Sequence, residues 1–227
     1  MIMANTGTYL GLSRETTNKE QILTKIRNAV FEKQEALFKD IDLLTDTHVP
    51  INEEDGEAVT FVKNFQDNGG IFMYLENEYD FAACITQLCA ENGWSPLWCG
   101  SPAMQDTLER CGVPYTTDSQ REPKQQLVSI TDCEYLIAQT GSIVITDNLT
   151  PDSRYLTMPD VHIVFARMSQ IMPNLKVALS KVKEKYLNTR LGQISIISGL
   201  TRTYAIEQTE VRGVFGPKQI AVFLVED

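Results

Sequence analysis

Several common signatures are missing from this sequence. No stretch approaches the roughly 18 consecutive apolar residues that cross a bilayer. The densest apolar run, Ile220 to Val225, is the length of a strand. No basic segment followed by an apolar core opens the chain, so a secretory leader is not expected and the cytosol is the expected compartment. There is no C-x-x-C pair, and Cys84, Cys89, Cys99, Cys111 and Cys133 are odd in number and scattered. They read as reduced thiols, with no metal or iron–sulfur cluster. There is no G-x-G-x-x-G and no G-x-x-x-x-G-K-[ST], so neither a dinucleotide cofactor nor a P-loop is signalled, and no cofactor is expected. Positive charge is also scarce: 20 Lys and Arg stand against 30 Asp and Glu, a formal charge of −10. Such a chain repels phosphate backbones and anionic lipid, which argues against nucleic acid or a membrane surface as partner. A local pocket for a small anion remains open.

A chain with 43% hydrophobic and 22% charged residues can bury a full core. Residues 1–18 are polar and aperiodic and read as a loose arm. From there residues recur at three- and four-residue steps, all but Lys33 apolar: Ile22, Ile26, Val30, Lys33, Leu37, Ile41 and Leu44. That spacing predicts a helical segment with one face for burial against the domain or a partner. It ends in the acidic linker of residues 45–57, so residues 19–57 form one segment and 58–227 the main domain. Within the domain, helical patterns over 58–67, 80–91, 102–110 and 169–186 alternate with short apolar runs over 71–75, 96–99, 143–146, 161–166, 194–197 and 219–225. A short helix is expected over 204–210. Runs apolar on both faces, alternating with helices, predict an α/β fold with a mainly parallel sheet. Ligands of such sheets sit beyond the carboxyl ends of strands, here just after Thr146, Ala166 and Ile197.

Two loops stand out. In Ile197-Ser198-Gly199-Leu200-Thr201-Arg202-Thr203 a strand runs into a glycine, hydroxyls and an arginine. With a helix following, the backbone amides, Ser198, Thr201, Thr203 and Arg202 would surround an anion. The alternative is a capped helix whose arginine pairs with Glu207. In Thr140-Gly141-Ser142 the glycine marks either close packing or ligand approach, or simply a turn, and Arg154 follows the next strand. Glu134, Glu207 and Asp147 are acid–base candidates. His162 lies on a strand, where a hydrogen-bonded structural role competes with that of a base.

Ala138 to Ile145, Arg154, Pro159, His162-Ile163, Ile197 to Thr203, Glu207 and Gly213-Val214-Phe215-Gly216-Pro217 come in an order that resembles the lactate-utilisation (LUD) domain family, and within it the protein C type. The resemblance implies a three-layer α/β/α domain similar to the sugar-phosphate isomerase, glucosamine-phosphate deaminase and CoA-transferase superfold. It implies an accessory role in oxidising lactate to pyruvate beside iron–sulfur oxidoreductase subunits, with a small anionic metabolite bound by Thr140, Gly141, Ser142, Arg154, Ser198, Gly199, Thr201, Arg202, Thr203 and Gly216. A free-standing enzyme or sensor for a phosphorylated or CoA-linked molecule is the alternative. Two positions depart from the family pattern: Ala205 stands where an acid is usual and Phe215 where a histidine is usual. Losing both removes a possible acid–base pair and leaves the anion-cradling residues in place.

Overall fold

The computed structural model describes residues 18–31, 51, 55–118, 126–204, 210–212 and 215–227. Two compact units divide the chain, Met1–Asp46 and Thr47–Asp227. In the first lies the helix α1 (Asn18–Phe31). Its Ile22 and Ile26 are 58% and 54% exposed, so these two residues of the expected apolar face point to solvent. The side chains of Val30, Leu37 and Ile41 lie outside the described set.

The second unit opens with α2 (Gly56–Asp67), β1 (Ile71–Leu75) and α3 (Glu78–Asn92). Then come β2 (Leu97–Trp98), α4 (Pro102–Cys111), β3 (Tyr115–Thr116) and β4 (Val128–Asp132). Local chemistry sets the helix ends. The Asn77 side chain accepts from the Tyr79 and Asp80 amides to start α3, and Gly93 closes it at φ +68°. Ser101 caps α4 with Pro102 in the first turn, where a missing N–H costs little. Next follow β5 (Tyr135–Ile137), β6 (Ser142–Thr146), the one-turn helix α5 (Arg154–Thr157), β7 (Val161–Arg167) and β8 (Ile171–Met172). The chain finishes with α6 (Leu175–Lys185), β9 (Ile194–Ile197), β10 (Arg202–Tyr204), β11 (Glu210–Arg212) and β12 (Gln219–Val225).

Six strands in the order β1-β12-β7-β4-β2-β3 form a wholly parallel sheet. Its central strands are buried on both sides, which is why they read as continuous apolar runs. On one face Val161, Ile163, Phe165, Ala221 and Phe223 pack against Phe81 and Ile85 of α3 and Met104 and Leu108 of α4. On the other, Val164, Ala166, Val222 and Leu224 meet Phe61 and Phe65 of α2 and the inner residues Leu136, Ile143 and Ile145 of a second sheet. This smaller sheet has the order β8-β5-β6-β9 and is backed by Ala178 and Val182 of α6. The expected α/β fold with a mainly parallel sheet is therefore present, and its third layer combines a helix with a small mixed sheet. No helix among the described residues is long and apolar enough to cross a membrane.

Two local expectations change. The ends of the helix expected over 204–210 are strand instead, Tyr204 and Glu210 being paired residues of the antiparallel strands β10 and β11, and residues 205–209 lie outside the described set. Thr201, Thr203 and Tyr204 are residue types that favour strands, and the pairing is completed by Glu210–Arg212. The helix expected over 169–186 is shorter. Residues 168–170 form a 3-10 turn, Ile171 and Met172 join the small sheet beside β5, and α6 starts only after Asn174 accepts from the Val177 amide. Pro173 thus precedes the cap instead of occupying the first turn.

Candidate functional site

Antiparallel pairing of β6 with β9 sets Ile143 opposite Ile197 and so brings the start of one strand to the end of the other. The two loops singled out by their glycines meet there. Thr140 Oγ lies 2.7 Å from Ser142 Oγ, which lies 2.7 Å from Ser198 Oγ, a row of three hydroxyls. Gly141 and Gly199, at φ +60° and +85°, both press against the end of α2. A Cβ on Gly141 would collide with the Phe65 amide nitrogen, and one on Gly199 with the Asn68 carbonyl oxygen. Asn64 donates to the Ala138 and Gln139 carbonyls, and Asn68 to that of Thr140. Both glycines therefore serve helix packing, which decides between the readings left open for Gly141.

Beside this junction is a cavity of about 630 Å³. Leu156, Ile196, Ile197, Pro217 and Ile220 give it an apolar wall, and Phe215, 75% exposed, stands at its rim. Ser153, Thr157, Gln193, Ser195, Ser198 and Thr201 add polar groups. The Thr201 hydroxyl donates to the Phe215 carbonyl and ties the two loops that flank the cavity. Gly216, at φ +87°, turns the chain there. Ile220 lies near the amino end of β12, so the cavity sits at the opposite edge of the parallel sheet from the carboxyl ends, where ligands were expected. Ile197 does border it, but as the end of an antiparallel strand. Its ordering comes from the small sheet, whose presence the carboxyl-end rule does not take into account.

No charged side chain is among the described lining residues. Arg154 instead pairs with Asp152 at 2.6 Å on the exposed side of α5, and that pairing lowers the Asp152 carboxyl below its usual range. Arg202, on β10, donates to the Asp67 carbonyl at the end of α2, 3.3 Å away. The Thr203 side chain and Glu207 lie outside the described residues. Of the expected ligand set, Ser198, Gly199, Thr201 and Gly216 line the cavity, Thr140, Gly141 and Ser142 support it from behind, and the two arginines stand apart.

Two of the acid–base candidates, Glu134 and His162, are placed away from the cavity. Glu134 is buried under α6, where it accepts from Thr146 at 2.6 Å, Tyr186 at 2.5 Å and Lys185 at 2.7 Å. Burial alone would lower the Lys185 pKa, but the bonds to Glu134 outweigh it and raise it. Burial and then Glu134 raise the Tyr186 hydroxyl. This closed network is structural. His162 is fully buried on β7, its Nε2 2.8 Å from Thr131 Oγ, and it is not among the lining residues. Burial pushes its pKa down to about 4, which keeps the ring neutral at physiological pH.

Sequence reading did not single out Ser153, Thr157, Gln193 or Ser195. The clue for Ser195 was available: a hydroxyl amid Ile194, Ile196 and Ile197 on an edge strand. The others come from chain segments that only the tertiary fold brings together. Among the described residues no group of three or more His, Cys, Asp or Glu is placed to hold a metal ion.

Residues 120–225 match the family model of the LUD domain. Lactate utilization protein C of Deinococcus radiodurans is 30% identical over 97 residues, which cover 42% of this chain and 45% of that protein. Lactate utilization protein C of Bacillus pumilus is 26% identical over 134 residues, 55% of this chain and 56% of the relative. The chain thus spans about half the length of the curated relatives it matches. A crystal structure of a DUF162 family protein from D. radiodurans superposes with a TM-score of 0.52 at 16% identity, over 78% of this chain and 99% of the other. That likeness shows the fold.

Proposed function

Because residues 120–225 match the LUD domain family and the chain is similar to lactate utilization proteins C, we propose that it serves lactate utilisation as an accessory protein whose cavity binds a small metabolite. The single observation that carries this reading is the origin of the cavity wall. Every described lining residue, from Ser153 to Ile220, lies inside the matched segment 120–225. The segment that resembles the family is thus the segment that builds the pocket. A carboxylate of a small acid would be met there by the hydroxyl of Ser198. Iron–sulfur oxidoreductase subunits of a lactate-oxidising system are the proposed partners, and the cytoplasm the proposed site of action.

A free-standing enzyme for phosphorylated or CoA-linked molecules is less well supported. A phosphate dianion in this cavity would find hydroxyls but no arginine or lysine among the described lining residues. The test is growth of the source organism on lactate as sole carbon source. Deleting the gene is expected to slow that growth, and the wild-type chain to restore it. Ser195→Phe, which fills the cavity, is expected to restore little although the protein accumulates. Normal growth of the deletion strain on lactate overturns the proposed role. Full rescue by S195F overturns the cavity as its site.

A further inference from the structure

A small recess adjoins the cavity and shares Ser153, Leu156, Gln193 and Ser195 with it. Its volume of about 10 Å³ is that of a single water-sized group. Asp147 and Thr150 line it, and Asp147 Oδ1 and Thr150 Oγ are buried with no hydrogen-bond partner among the described residues. Thr150 is 3% exposed. The other Asp147 oxygen is occupied, because it accepts from the Gly192 amide at 2.8 Å. That bond fixes the carboxylate, so Oδ1 is held in place. Buried polar atoms without partners are costly and rare, and a pair lining one recess calls for a shared partner.

We infer that this recess is the head-group subsite of the cavity, and that it takes a hydroxyl or primary ammonium group on a molecule whose apolar body lies along Leu156, Ile196 and Ile220. The inference rests on the reading of the cavity as the binding site and specifies the ligand it takes. Two physical limits select the head group. A carboxylate has three heavy atoms and a phosphate five, which a water-sized recess does not admit. A negative group beside Asp147 would also be repelled, whereas a donor satisfies Oδ1 directly. Thr150 Oγ, able to donate or accept, completes the bonding of a hydroxyl. Any acidic group on the same ligand lies at the Ser198 side of the cavity.

The test uses the full chain and three probes with similar apolar bodies: hexylamine, 1-hexanol and 1-methoxypentane, the last an isomer of hexanol without a donor. Binding is read from the methyl NMR signals of Ile196, Ile197 and Ile220. Hexylamine is expected to bind tightest, then hexanol, with the ether about tenfold or more weaker than the amine. Asp147→Asn is expected to abolish the advantage of the amine over the alcohol, and Thr150→Val to weaken the alcohol severalfold while sparing the ether. Melting temperatures of both variants show whether each is folded, and either one alone decides the matter. Equal binding of all three probes at these methyls leaves the cavity standing and overturns the recess as a subsite. No shift at these methyls with any probe overturns both readings.

Discussion

A histidine sealed inside the parallel sheet gives this protein a measurable pH response. His162 Nδ1 has no partner, and burial pushes the ring pKa from 6.5 to about 4. The unfolded chain therefore takes up its proton near pH 6.5, and the folded chain only near pH 4. Stability is whole above 6.5 and is lost progressively as pH falls through that window, by about 3 kcal/mol in all. Asp132 works in the opposite sense: burial raises its carboxyl, so the folded state gains relative to the unfolded one as pH falls. Comparing His162→Gln with the wild type separates the two. Denaturant titrations from pH 7 to pH 4 are expected to show a shallower loss for the variant, whatever its absolute stability. Parallel curves would mean that the histidine is solvated. The sequence showed this residue on a strand, but the choice between structural member and base required the depth of the site, and depth is a property of the packed sheet.

Among the elements, α2 has the most exacting fit, because two glycines from distant loops touch its last turns. Gly141→Ala and Gly199→Ala would each add a Cβ at positive φ and drive it into the backbone of Phe65 or Asn68. The left-handed conformation alone costs about 1–2 kcal/mol, and the collision adds to it. Each variant is expected to melt at least about 4 °C lower, while alanine at the exposed helix position Gln66 leaves melting unchanged. Calorimetry on the three proteins checks this. What was legible in the sequence follows from the same contrast between local and distant partners. The helices from Gly56, Glu78 and Pro102 were readable because caps and apolar periodicity lie within each segment. The strands β1, β7 and β12 were readable as unbroken apolar runs. By contrast, β5 and β8 were missed because each is two or three residues long, and β4 because Ser129 and Thr131 interrupt its apolar run. The pairing of β10 with β11 replaces the ends of the helix expected over 204–210, because the second strand lies beyond the local pattern. Of the candidate site residues, the hydroxyls at 140, 142 and 198 come together in one row, and those at 198 and 201 line the cavity. Arg202 was not recognised as a partner of α2, because its carbonyl acceptor belongs to Asp67, far away in sequence.

Across the whole molecule, the order of the large sheet separates position in space from position in sequence. β12 is the last strand of the chain, yet it lies between β1 and β7, pairing Ile71 with Ala221 on one side and Val161 with Gln219 on the other. A chain ending at Lys218 would therefore lack an inner strand and leave β1 without a neighbour. Limited proteolysis is expected to degrade it rapidly, whereas a chain ending at Val225, which keeps the strand, resists; equal resistance would show that β12 is dispensable. The arrangement also has a consequence during synthesis. While the ribosome is still translating, β1 and α3 have emerged but their partner does not yet exist. The edge of β1 stays without its neighbour until β12 has been synthesised and has cleared the exit tunnel. Closure of the sheet thus waits for a strand made long after β1, and a stop codon ahead of Gln219 would leave β1 unpaired.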